Sequence, residues 1–366
     1  MDTTVKPGDD FYKFANGNWL KNHPIPAEYS RYGAFEVLEE ENYTQLKEIF
    51  ATASADKNAA VGSVNQKIRD FYNSGMDTLK IEKNGISPLT AELEQINAFA
   101  TVADVQKMII LQHASGNYPL FYLSSSQDEK NSNQVIAMAY QGGLGLPDRD
   151  YYLGDDSRSK EIRAGYLKHM AKMFVLAGST PEQAAKDADV VMKIETGLAS
   201  ISSTRKELRD PVSNYNKTDL AGLQKMAPEI DWKAYFDGIK LQATSEINVG
   251  QPKFISGMAK MIKSVPVADW KVYFRWDLIN SAASSLSSAF DKEHFAFYGT
   301  VLSGAKEQRP RWKRMLDQTS GSLGEAVGQL YVEKFFPPEA KKRMIELVNN
   351  LKASLGERIE GLNPNG

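Results

Sequence analysis

The chain has 366 residues, 42% hydrophobic and 25% charged, enough for one large domain or two lobes whose core needs no covalent staples. Its 44 basic and 46 acidic side chains leave a net charge of -2 with no long run of one sign, which argues against a nucleic-acid groove or an anionic-membrane patch. The absence of cysteine excludes disulfides, thiolate zinc sites, iron–sulfur clusters and cysteine nucleophiles.

Met1-Asp2-Thr3-Thr4 opens without a charged leader and apolar run, as a mature chain does. Residues 1–33 read as an irregular N-terminal arm, because Pro7, Gly8, Gly17, Pro24 and Pro26 oppose a long helix. Asp9 and Asp10 before Phe11-Tyr12 read as a cap on a short helical turn. From 34 to 366 apolar residues recur every three to four positions, the pattern of a large multi-helical lobe. Phe35, Leu38, Tyr43, Leu46 and Phe50 form the first stripe. The uncharged stretch 108–127 contains His113, Gly116, Asn117, Pro119 and three serines, and fails as a membrane span. Leu120–Leu123 and Val135–Tyr140 are β-prone runs on either side of the polar stretch Ser124–Gln134, which predicts a hairpin over about 120–140. Gly142–Pro147 reads as a loop, and Thr180-Pro181-Glu182-Gln183 as a helix start that runs on through Ile194 and Leu198. Pro337-Pro338-Glu339 opens the last helix, with a stripe of Met344, Leu347, Val348, Leu351, Leu355, Ile359 and Leu362 before a turn signal at Asn363–Gly366. The expected fold class is therefore mainly α, a large multi-helical lobe with a small β-hairpin and an irregular N-terminal arm.

The residues themselves offer little chemistry. His23, His113, His169 and His294 are far apart, and none stands in H-E-x-x-H. Neither a G-x-S-x-G elbow nor a phosphate loop occurs, and Gly142, Gly143 and Gly145 read as turn glycines. Asp148, Asp150, Asp155 and Asp156 cluster, either as a carboxylate pair of a hydrolase or as caps in a solvated loop. Arg309-Pro310-Arg311-Trp312-Lys313-Arg314 is the one basic cluster, best suited to ion pairing and cation–π stacking. Composition and spacing leave the function open.

The opening run Pro7-Gly8-Asp9-Asp10-Phe11-Tyr12-Lys13-Phe14-Ala15-Asn16-Gly17-Asn18-Trp19-Leu20 resembles the start of the neprilysin and endothelin-converting-enzyme family of zinc metallopeptidases. Seven further segments match in family order: Ser30–Phe35, Leu144–Tyr152, Arg209-Asp210-Pro211 with Tyr215-Asn216-Lys217, Phe274-Arg275-Trp276, Phe297-Tyr298-Gly299, Pro310–Arg314 and Gly328–Glu333. Asn16 stands where the family's animal members carry a cysteine, so the cysteine-free chain resembles the bacterial branch.

The resemblance implies the N-terminal, non-catalytic helical part of a zinc metalloendopeptidase, a lobe that arches over the catalytic lobe and walls a closed chamber limiting peptide size. The family's H-E-x-x-H, third glutamate ligand and Asn-Ala-Tyr/Phe motif are not in this sequence, so zinc is expected in the parent protein and no cofactor in this chain. It implies two partners, a C-terminal catalytic domain that residues 1–33, with Phe11, Phe14 and Trp19, would meet, and peptide substrates. Arg31 and Glu36 match the positions that line the primed side of the substrate cleft in relatives, where the arginine can pair with a substrate's C-terminal carboxylate. A salt bridge joining arm and first helix is the other use of this pair. Exported bacterial relatives point to a periplasmic or secreted parent. A stand-alone helical binding module, or a hydrolase built on the Asp148–Asp156 carboxylates, are the competing readings.

Overall fold

The computed structural model describes residues 1–241 and 245–362, so the turn expected at Asn363–Gly366 lies outside the described residues. The fold is mainly α. Helices α1 (Phe11–Asn22), α2 (Ala34–Ala55), α3 (Val64–Met76), α4 (Thr78–Asn84), α5 (Thr90–Asn97) and α6 (Val102–Ala114) precede a hairpin of β1 (Phe121–Asp128) and β2 (Asn131–Gln141). There follow α7 (Asp150–Leu153), α8 (Ser157–Leu176), α9 (Pro181–Ile201), β3 (Lys217–Asp219), α10 (Leu220–Met226), α11 (Trp232–Gly238), β4 (Glu246–Val249), α12 (Pro252–Ser264), α13 (Val267–Ala282) and α14 (Ser288–His294). A π-helical segment, Phe295–Leu302, leads to α15 (Arg311–Ser322), α16 (Gly324–Phe335) and α17 (Pro338–Glu360). Among the described residues no helix is long and apolar enough to cross a membrane.

Contacts divide the chain into two compact units, Met1–Lys80 with Gly304–Gly366, and Ile81–Ser303. In the first unit, Tyr43, Phe50 and Ala53 on one face of α2 meet Ile68 of α3, Leu316 of α15 and Val327 of α16. Each large side chain so buried contributes about 1.5–3 kcal/mol. The expected α2 stripe holds from Tyr43 onward and lapses at its start, where Phe35 is 84% and Leu38 54% exposed. The arm is more regular than its prolines and glycines imply. Asp10 caps α1 by accepting the Lys13 N–H at 2.9 Å, and the helix runs three turns straight through Gly17. That glycine fits because residue 2 folds back on it: an added Cβ would stand 2.6 Å from Asp2 Cβ. The Asp2 amide donates to Phe14 O, and Lys21 Nζ holds the Asp2 carboxylate at 2.7 Å.

In the second unit the hairpin lies where expected, but its strands are longer than the β-prone runs, because Ser124–Asp128 and Asn131–Gln134 continue them to a tight turn. Serine, asparagine and glutamine satisfy the ladder as well as apolar residues do when the strand faces water. A bulge at Gln127/Asp128 ends the register, and buried Asp128 accepts from the Lys130 amide, Tyr215 Oη and Lys217 Nζ. Two strands were not expected. β4 pairs parallel with β2 (Ala137 opposite Ile247) and antiparallel with β3, giving the order β1-β2-β4-β3. At three and four residues, β3 and β4 are too short for alternation to reveal them. One core joins the sheet to α6, α9 and α11–α13 around Trp232, Phe254 and Trp270; another, around Tyr166, Phe174, Trp276 and Phe297, fills the space between α8, α9, α13 and the π-helical segment. Thr180 caps α9 as expected, its Oγ1 accepting from the Gln183 N–H, while the Gln183 side chain turns forward to Asp187.

Candidate functional site

Pro24 and Pro26 follow the end of α1, and a turn closed by the Tyr29 amide on Pro26 O (3.0 Å) leads the chain to Gly33, the N-cap of α2. Residues 306–307 tie this segment down, both amides donating to Ala27 O at 2.8 and 3.0 Å. Its main anchor is Lys313 of α15, only 6% exposed. Lys313 Nζ stands 2.6 Å from a carboxylate oxygen of Glu28 and 2.6 Å from one of Glu40. Burial pulls the Lys313 pKa down, but these two carboxylates outweigh it and the net shift is upward, so the ammonium is held charged. Tyr29 Oη donates to Glu40 as well, and burial with that carboxylate drives the phenol pKa far up. Beside them Arg309 pairs with Asp317 at 2.9 Å and lies over the Tyr43 ring, while Lys47 covers Trp312. The basic cluster is thus used for ion pairs and cation–π contacts, as its sequence suggests.

On this footing Ser30-Arg31-Tyr32-Gly33 projects outward. Tyr32 packs edge-on against Tyr29 at 5.5 Å and over Trp19 at 6.4 Å. Arg31 Nε lies 3.2 Å from Glu36 Oε1; the arginine side chain is 89% exposed and that of Glu36 15%. The two residues singled out in the sequence are therefore in contact. Glu36 fixes one edge of the guanidinium, and the Nη groups have no protein partner among the described residues. A planar fork held at one edge, with its other donors in water, can receive a carboxylate bidentately. Sequence reasoning missed Glu28, Glu40 and Tyr29 as supports, since nothing in their spacing to Lys313, more than 270 positions away, signals contact.

The Asp148–Asp156 group does not converge. Asp148 pairs with Arg205 and accepts the Asp150 amide; Asp156 caps α8 through the Ser159 amide and hydroxyl; Asp155 is exposed, 4.0 Å from Lys160. Asp148 and Asp156 are thus taken up by an ion pair, a turn and a helix cap, and no two of the four carboxylates are seen facing each other as a hydrolase pair would. The histidines make local contacts, although His169 Nε2 is buried without a hydrogen-bond partner among the described residues and its ring lies 6.4 Å from that of His294. His23 stacks on Trp19 at 4.3 Å. His113 sits between Tyr235 Oη (2.6 Å) and Pro119 O (3.1 Å), burial pushing its pKa down to about 4, so the neutral ring accepts from the phenol and donates to the carbonyl. His169 contacts Glu293 at 3.1 Å, and His294 packs on Tyr298, with burial again lowering its pKa to about 4. Among the described residues no group of three or more histidine, aspartate or glutamate side chains could hold a metal ion, so the residues present do not fit a zinc centre.

Residues 7–363 match the family described as Peptidase family M13. Mouse endothelin-converting enzyme 1 is 29% identical over 99% of this chain, and mouse endothelin-converting enzyme-like 1 is 30% identical over the same share; in each case the chain covers 48% of the relative. The crystal structure of Mycobacterium tuberculosis zinc metalloprotease Zmp1 in complex with inhibitor superposes with a TM-score of 0.92 at 34% identity, over 99% of this chain and 55% of the other. The chain thus spans about half the length of the relatives it matches. With the family matched along nearly its whole length, this chain belongs to peptidase family M13, in that family's N-terminal domain.

Proposed function

We propose that this chain is the non-catalytic helical part of a neprilysin-like zinc metalloendopeptidase, that it walls the substrate chamber beside a C-terminal catalytic domain, and that it limits the size of peptides that enter. Residues 1–33 are the arm that meets the catalytic domain, 34–366 form the helical lobe, and Arg31 with Glu36 receives the substrate's C-terminal end. The observation that carries this reading is the pairing of a family match over residues 7–363 with relatives about twice as long, one of them named a zinc metalloprotease. The metal-poor chemistry of the described residues agrees with a division of labour in which zinc belongs to the other half.

The test uses the full-length protein and a series of unstructured substrates of rising length that share one cleavage sequence. A wall that limits entry gives a kcat/KM that holds for short peptides and then collapses beyond a threshold length. A kcat/KM independent of length, up to and including an unfolded protein, would overturn the chamber reading.

A further inference from the structure

The second unit contains a cavity of about 280 Å³, room for several water molecules. One wall is a single face of α13: Tyr273, Trp276, Asp277 and Asn280 recur at i, i+3, i+4 and i+7. Glu195 of α9 contributes from the side, 1% exposed, and exposed Ser281 also borders the cavity.

Several donors of the lining are already used: Asn117 Nδ2 on Asp277 (2.9 Å), Tyr273 Oη on Gly143 O (3.0 Å), Ser281 Oγ on Leu278 O (3.1 Å) and Trp276 Nε1 on Tyr166 Oη (3.0 Å). The hydroxyls of Tyr118 and Tyr122, which also border the cavity, can donate or accept. The acceptors left open are on Asp277 and Asn280. Asp277 has that one amide donor and, among the described residues, no cationic partner; Asn280 spends its Nδ2 on Tyr298 Oη (3.0 Å) and leaves its Oδ1 buried without a partner. Glu195 takes the hydroxyl protons of Tyr152 and Tyr166 at 2.7 and 3.1 Å, again with no cation beside it. Burial raises both carboxyls, Asp277 to about 6 and Glu195 to about 8, so at neutral pH Glu195 mostly keeps its proton and Asp277 is the ionised acid of the cavity. An unsatisfied buried acceptor costs free energy that a ligand bringing donors recovers.

Asp277 and Asn280 lie one helical turn apart, so their side chains are neighbours. Three N–H donors on one atom suit such a pair better than the five of a planar guanidinium, several of which would stay unpaired. A bare divalent ion needs about six oxygen ligands, more than the cavity offers. Tyr273 and Trp276 provide an apolar, aromatic wall of the kind that favours a cation and its alkyl stem. We propose that this cavity binds a primary alkylammonium group, with Asp277 and Asn280 Oδ1 as acceptors and α13 as the recognition face. The proposal stands apart from the role assigned to Arg31 and does not depend on it.

The test titrates the 366-residue chain with n-butylammonium chloride, following side-chain amide and indole N–H resonances by NMR, with 1-butanol as the neutral isostere and sodium chloride at matched concentration. The expected result is a saturable response to the amine alone. Asp277→Asn should weaken it at least about tenfold, the scale of one charge-assisted hydrogen bond. Ser281→Lys, at an exposed position that leaves thermal unfolding unchanged, should block it by placing a resident ammonium at the cavity's edge. A peptide with a free α-amine and its N-acetylated form separate the sources: binding of the free form assigns the site to peptide amines, and binding of butylammonium alone to small free amines. No saturable response, an equal response to butanol or sodium, or unchanged affinity in both variants would overturn the proposal.

Discussion

Arg31 keeps most of its guanidinium in water while Glu36 holds its Nε, an arrangement that contributes little to folding, since exposed ion pairs are worth about 0–1 kcal/mol. That separates its two uses. If the free edge receives a substrate's terminal carboxylate, Arg31→Ala in the full-length enzyme should lower kcat/KM for peptides with free C-termini by roughly 2–3 kcal/mol, the scale of a charge-assisted contact. Amidated peptides should be nearly indifferent. Matched acid and amide substrates decide it, and an equal loss on both would return the pair to a purely structural role. The pair was legible in sequence only because a motif resembles the family's. Its support was not, because Lys313 lies more than 270 positions from Glu28 and Glu40, and burial of a lysine cannot be read from its neighbours in sequence. Asp277 and Asn280 fall in the same class: their helical spacing is visible, but the wall opposite them comes from the loops flanking the hairpin.

Periodicity located the helices well and their environment less well. α2 and α17 carry similar stripes, yet Tyr43 and Phe50 are 4% and 1% exposed whereas Leu351 and Leu355 are 61% and 58% exposed. A stripe states which face is apolar; what covers it is decided by the rest of the fold. The consequence can be measured. Leu351→Glu on α17 should change the chain's unfolding free energy by no more than about 0.5 kcal/mol, as for other exposed sites. Ile68→Ala, at a fully buried position on α3, should cost about 2–5 kcal/mol. Denaturant titration of the two variants checks the contrast, and a large loss for Leu351→Glu would show that the stripe is covered in solution. α1 taught the converse lesson. Gly17 looks like a helix breaker in the sequence, but the fold uses its missing Cβ to admit Asp2.

At the scale of the whole chain the decisive feature is how the titratable groups are spent. A catalytic zinc centre takes three protein ligands that converge on one point and leaves a position for water. Here His113 and His169 are buried in separate networks, His23 stacks on an indole and His294 packs on a phenol. The aspartates grouped in the sequence serve a cap, a turn and an ion pair. The family match was legible in eight dispersed segments, whereas their destinations were not, because motifs such as Leu144–Tyr152 and Phe297-Tyr298-Gly299 serve packing around Tyr166 and Glu195. The purified chain, dialysed against chelator and re-exposed to equimolar zinc, should therefore retain well under one zinc per molecule by elemental analysis. Its thermal midpoint should not move on adding or removing chelator, since a metal bound only to the folded state would raise it by mass action. The full-length protein, treated alike, should hold one zinc. A stoichiometric, chelator-resistant zinc in the 366-residue chain, or a midpoint that falls when chelator is added, would show that this half carries a metal site of its own and would overturn the division of labour proposed above.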